Sequence, residues 1–78
     1  MGVARDRLFE KMVLLRINGE DRRFEVAPTV GELLETLKVA PNAVAVEVNR
    51  TIVPRRAHEI HQLEDGDEIE VVTFVGGG

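Results

Sequence analysis

The sequence predicts an α+β domain: a mixed sheet of four to five strands with one main helix packed across it. Three observations carry this expectation. The apolar run at Met12–Asn18 is joined through Asn18-Gly19 to an alternating run at Arg22–Ala27, which is the pattern of a hairpin. After Pro28-Thr29 the apolar period lengthens from that of a strand to that of a helix. Three β-branched stretches then follow, and turn residues separate them.

The elements follow in order. Met12–Asn18 reads as the first strand, and Arg22–Ala27 as its return, with Phe24 and Val26 on one face. Thr29-Val30-Gly31-Glu32 fits a capping box, in which the threonine hydroxyl accepts from the first turn and the glutamate reaches back. Val30, Leu33, Leu34 and Leu37 then fall on one face of a helix over Val30–Lys38, and Pro41 is the expected stop. Ala43–Val48 is short and almost wholly apolar, as expected of an interior strand. Asn49-Arg50 turns the chain into a brief edge strand at Thr51–Val53, which Pro54 ends. Arg55–Leu63 is irregular, with at most a helical turn. Glu64-Asp65-Gly66-Asp67 is a turn by composition, and Glu68–Val75 is the last strand. A hairpin, a crossing helix and three further strands make the β-grasp order of ubiquitin-like proteins. Residues 12–75 form that domain, residues 1–11 a flexible N-terminal extension and residues 76–78 a flexible glycine tail.

Composition narrows the function. A chain of 78 residues supports one small core and no deep substrate cavity. The net charge of −4, from 10 basic and 14 acidic side chains, is the wrong sign for a nucleic-acid binder. There is no cysteine, so a disulfide scaffold, a thiolate metal site and a cysteine nucleophile are excluded, and a reducing cytoplasm is the expected compartment. No apolar run is long enough to span a membrane. His58 and His61 stand three residues apart in one loop and are expected to face solvent rather than hold a metal. There is no serine for a Ser-His-Asp set.

The closing Gly76-Gly77-Gly78 is the most informative feature. A strand that runs into residues without a Cβ presents its α-carboxylate on an arm of about 10 Å that can enter a narrow slot. A carboxylate is inert until a partner makes it an acyl-adenylate, so the reacting group would be the protein's own terminus. The alternative is a plain flexible tail.

The chain resembles the thiamin-biosynthesis sulfur carriers, the ThiS family. The matching pieces are Asn18-Gly19, the run Thr29 to Leu34, Val46-Glu47-Val48-Asn49, Ile52-Val53-Pro54-Arg55 and the run from Leu63 to Gly78. The resemblance implies a co-substrate rather than an enzyme, with no cofactor of its own. An E1-like enzyme would use ATP to adenylate Gly78. A persulfide donor would supply the sulfur, leaving a thiocarboxylate, and thiazole synthase would take it. Gly77 and Gly78 carry over as the transfer arm, and Gly76 extends it. Related carriers for molybdopterin or tRNA thiolation, a ubiquitin-like modifier, and an RNA-binding β-grasp module are the alternatives.

Strand parity adds a partner surface. If Val13, Leu15, Ile17, Ile69 and Val71 face the helix, then Leu14, Val72 and Phe74 face outward as an apolar patch upstream of the glycines. The competing expectation is that a bulge turns Phe74 into the core. Glu68 and Glu70, in an acidic run with Glu64, Asp65 and Asp67, would steer a basic partner toward the patch, or else blunt a sheet edge. Arg55-Arg56, after Pro54, is expected to pair locally with Glu59, the alternative being contact with a partner.

Overall fold

The computed structural model describes residues 12–74 of the chain. The two expected flexible segments, at the N-terminus and at the glycines, lie outside the described residues.

β1 (Val13–Ile17) and β2 (Glu20–Phe24) form the first hairpin. Its two-residue turn puts Asn18 at φ 51° and Gly19 at φ 85°, the left-handed pair that matches strand twist and favours Asn-Gly. So tight a turn sets Ile17 opposite Glu20, and the register is spent when Val13 meets Phe24. The return strand therefore starts two residues and ends three residues earlier than predicted. Val26 falls beyond it and is 80% exposed, whereas Phe24 packs against the core.

α1 (Val30–Leu37) starts as its sequence dictates. The Thr29 hydroxyl accepts from the Glu32 N–H at 3.1 Å, and the Glu32 carboxylate accepts from the Thr29 N–H at 2.9 Å. Such a cap contributes about 1 kcal/mol. Val30, Leu33 and Leu34 are fully buried, and each offsets folding entropy by about 1.5–3 kcal/mol. The helix ends within one residue of the predicted Lys38, but Pro41 is not what stops it. Lys38 ends the helix by taking φ 61°, with its N–H turned to the carbonyls of Leu34 and Glu35. Pro41 instead opens a 3-10 turn at Pro41–Ala43.

β3 (Val44–Val48) and β4 (Thr51–Val53) form a second hairpin through Asn49-Arg50, both at positive φ. After a 3-10 turn at Arg55–Ala57 and an irregular stretch, β5 (Glu68–Thr73) enters the sheet. The strand order is β2-β1-β5-β3-β4. β5 runs parallel to β1 and antiparallel to β3, and the hairpins supply the outer strands. One helix on a five-stranded mixed sheet is the predicted ubiquitin-like β-grasp arrangement. Leu15, Ile17, Val44, Val46, Val48, Val53 and Ile69 meet Val30, Leu33, Leu34 and Leu63 in one core. No helix among the described residues is long and apolar enough to cross a membrane.

Candidate functional site

The strand that leads toward Gly76–Gly78 is the centre of the sheet. β5 therefore needs no edge blunting, and its acidic residues have other work. In the turn before it, Asp65 Oδ1 accepts from the Leu14 N–H at 2.7 Å, and Asp67 Oδ2 accepts from the Glu64 N–H at 2.8 Å. These carboxylates build the turn.

Both hairpin turns reach β5 through an asparagine side chain. Asn49 Oδ1 accepts from the Glu68 N–H at 3.0 Å, while its Nδ2 donates to Asp67 Oδ1 at 2.9 Å. On the other flank, Asn18 Oδ1 accepts from the Val71 N–H at 2.8 Å, and its Nδ2 donates to the Val71 carbonyl at 3.1 Å. An asparagine amide carries the same donor–acceptor pair as a peptide group. Asn18 thus continues the β1 ladder for one rung after the β1 backbone has turned away. The Asn-Gly signal gives the turn, but the reach to β5 depends on a parallel β1–β5 register that no local pattern contains.

The sheet face away from α1 carries the predicted surface in altered form. Val72 is 55% exposed and Phe74 59% exposed, so Phe74 is not a core residue. No bulge intervenes: β3 pairs with β5 in unbroken register, and the Phe74 N–H donates to the Ala43 carbonyl at 2.8 Å. Glu68 and Glu70 are exposed on the same face. Leu14 does not join this patch. The register Arg16↔Glu68 sets Leu14 level with Gly66, six residues before Val72. At the rise of a strand that is about 20 Å away. Leu14 is half-buried in a shallow depression with Arg16, Asp21, Gly66 and Glu68, where Arg16 and Asp21 form an ion pair at 3.0 Å. Parity placed Leu14 on the right face but said nothing of its position along the strand.

Two neighbours that parity omitted complete the patch. Ala45 stands opposite Val72, and Ile52, 67% exposed, stands opposite Glu47, which in turn faces Glu70. Val72, Phe74, Ala45 and Ile52 form the apolar part, and Glu47, Glu68 and Glu70 run beside it. Counting β3 and β4 against β5 would have found both, once the strand order was known.

His58 differs most from expectation. It is 4% exposed, and Nε2 lies 3.2 Å from the Val53 carbonyl, so it ties the loop to β4. A carbonyl only accepts, so Nε2 acts as the donor in that contact. Among the described residues no ion pair joins Arg55 or Arg56 to Glu59. Gly76, Gly77 and Gly78 lie outside the described residues.

Comparison with known proteins agrees with this architecture. The profile of the ThiS family matches residues 15–78. The chain is 47% identical over 64 residues to a thiazole synthase of Paramagnetospirillum magneticum, an alignment that covers 82% of this chain but only 20% of that longer protein. It is 39% identical over 67 residues to the sulfur carrier protein ThiS of Bacillus subtilis, covering 83% of this chain and 100% of that one. The crystal structure of the thiamine biosynthesis protein ThiS from Geobacter metallireducens superimposes with a TM-score of 0.72 at 36% identity, covering 85% of this chain and 100% of that chain. A profile match over most of the length, on a five-stranded grasp of one helix, places the chain in the ThiS family.

Proposed function

We propose that the chain is a sulfur carrier for thiamin thiazole synthesis and that the α-carboxylate of Gly78 carries the sulfur. The observation that supports this best is the placement of β5. The strand that runs on toward the glycines is the central one, held by backbone ladders and by an asparagine on each flank. An arm without side chains is useful only if its base is rigid, because positional freedom at the base multiplies along the arm.

The chemistry divides between the arm and its partners. An E1-like enzyme joins the Gly78 carboxylate to the α-phosphate of ATP and releases pyrophosphate. The acyl carbon becomes electrophilic because AMP is a good leaving group. The terminal sulfur of a donor persulfide attacks that carbon, AMP leaves, and an acyl disulfide forms. A thiol then cleaves the disulfide, so that one sulfur stays on the carbonyl as a thiocarboxylate and the thiol is oxidised. Thiazole synthase accepts the sulfur. The chain has no cysteine to compete as a nucleophile or to divert the persulfide.

Intact mass after incubation with an E1-like enzyme, ATP and a persulfide donor tests the reading. The expected result is a gain matching replacement of one oxygen by sulfur, confined to the C-terminal peptide. Absence of both the adduct and AMP formation would sink it.

In the same reading, Val72 and Phe74 dock the activating enzyme, with Ala45 and Ile52 at their side. Glu68 and Glu70 steer it through a complementary basic face. Phe74→Ala is expected to lower adenylation by at least about tenfold, as loss of an aromatic anchor does. Stability should change by no more than about 1 kcal/mol, because the ring is 59% exposed. Urea unfolding beside steady-state AMP release separates the two effects. An unfolded variant would mean that the ring is structural, and association insensitive to salt would remove the steering role.

A further inference from the structure

β5 outruns its neighbour. β1 pairs with it only through Arg16↔Glu68 and Ile17↔Ile69, with backbone bonds from the Arg16 and Asn18 N–H groups to the Asp67 and Ile69 carbonyls. Residues 67, 69 and 71 therefore point their peptide groups toward β1, and the Asn18 amide fills the rung at Val71. The next rung on that side belongs to Thr73. The Phe74 N–H bond to Ala43 fixes Phe74 as a β3-facing residue, so the Thr73 N–H and C=O face away from β3. Among the described residues nothing pairs with them. Thr73 is exposed, and a groove lined by Asn18, Glu20, Leu37, Val39, Val71 and Thr73 opens beside it on the helix side of the sheet.

We propose that this rung is a docking edge for one extended backbone segment of the enzyme that activates the tail, added as a short strand beside Thr73. The partner's identity rests on the sulfur-carrier reading above. The chemistry is that of strand addition: an amide pair that already accepts a side-chain surrogate at Val71 takes a true peptide group at Thr73. An incoming strand would set alternate side chains over Leu37, Val39 and Val71 and the others beside Val72 and Phe74, so the edge is continuous with the proposed docking patch. Pinning Thr73 also stiffens the chain at the last described residues before the glycines.

The test uses the full chain and its activating enzyme. Hydrogen exchange at the Thr73 amide is expected to be fast in the free chain and slow in the complex. Thr73→Pro removes that N–H while leaving the β3 ladder whole. It is expected to weaken binding about five- to tenfold more than Thr73→Ala, the loss that follows from one hydrogen bond. A Thr73 amide that still exchanges fast in a complex that adenylates normally overturns the edge and leaves the carrier reading intact. Protection in the free chain also overturns it, since residues 1–11 or a second copy would then cover the edge. If Thr73→Pro fails to fold, the exchange comparison on the unaltered chain decides. An unaltered chain that is never adenylated defeats the carrier reading, and this partner with it.

Discussion

Deleting Gly78 is expected to bring adenylation and sulfur transfer to background while leaving the fold unchanged. The reacting atom in the proposed chemistry is the terminal carboxyl carbon, and its position is set by chain length measured from β5. Removing one residue draws the carboxylate back by about 3.5 Å. A misplacement of about 1 Å from a near-attack geometry already costs about 10²-fold, so a shift three times larger leaves no measurable reaction. The base of the arm cannot follow the shift. Val71 is held by Asn18 and Phe74 by Ala43, and β5 lies between β1 and β3. A glycine has no side chain to bury, so the unfolding free energy is expected to stay within about 0.5 kcal/mol of the parent. Pyrophosphate release and intact mass are the readouts. Activity within about tenfold of the parent would show that the enzyme grips the arm without regard to its length, and the assignment of the reaction to a carboxylate fixed at Gly78 would fall.

Much of this architecture is legible in the sequence because its signals are local. The capping box at Thr29 and Glu32, the Asn18-Gly19 turn and the apolar stripe on α1 each need only a few neighbouring residues. Parity put Val72 and Phe74 on the outer face for the same reason. What failed was what depends on pairing across the chain. Parity groups Leu14 with Phe74 because both point outward, yet parallel pairing of β1 with β5 places them at opposite ends of the sheet. Ala45 and Ile52 became neighbours of the patch only through the β3 register. His58 looked exposed because two histidines in a loop carry no burial signal. The contact that buries it is to a carbonyl on β4, and no spacing rule predicts it.

The same loop yields the largest expected loss of stability. Leu63 closes the irregular stretch before β5, and it is completely buried in the cluster that holds Val30, Leu33 and Val53. Its N–H donates to the Pro28 carbonyl at 3.0 Å, and Gln62 donates to the Ala27 carbonyl at 2.8 Å, so the backbone here is fastened to the segment that caps α1. The site cannot collapse freely when the side chain shrinks. Leu63→Ala is therefore expected to cost about 2–5 kcal/mol, the range for a buried leucine whose cavity persists. A chain of this size holds only about 4–12 kcal/mol in total, so the variant is expected to unfold far earlier in urea or to be largely unfolded at 37 °C. Ile60, three residues earlier and 79% exposed, is the control: Ile60→Ala is expected to shift stability by about 0.5 kcal/mol or less. Both residues are large and apolar in a stretch without periodicity, and only the backbone tether to Pro28 explains why one of them carries the core. If Leu63→Ala costs less than about 1 kcal/mol, the loop relaxes into the cavity, and the tether is weaker than its geometry implies.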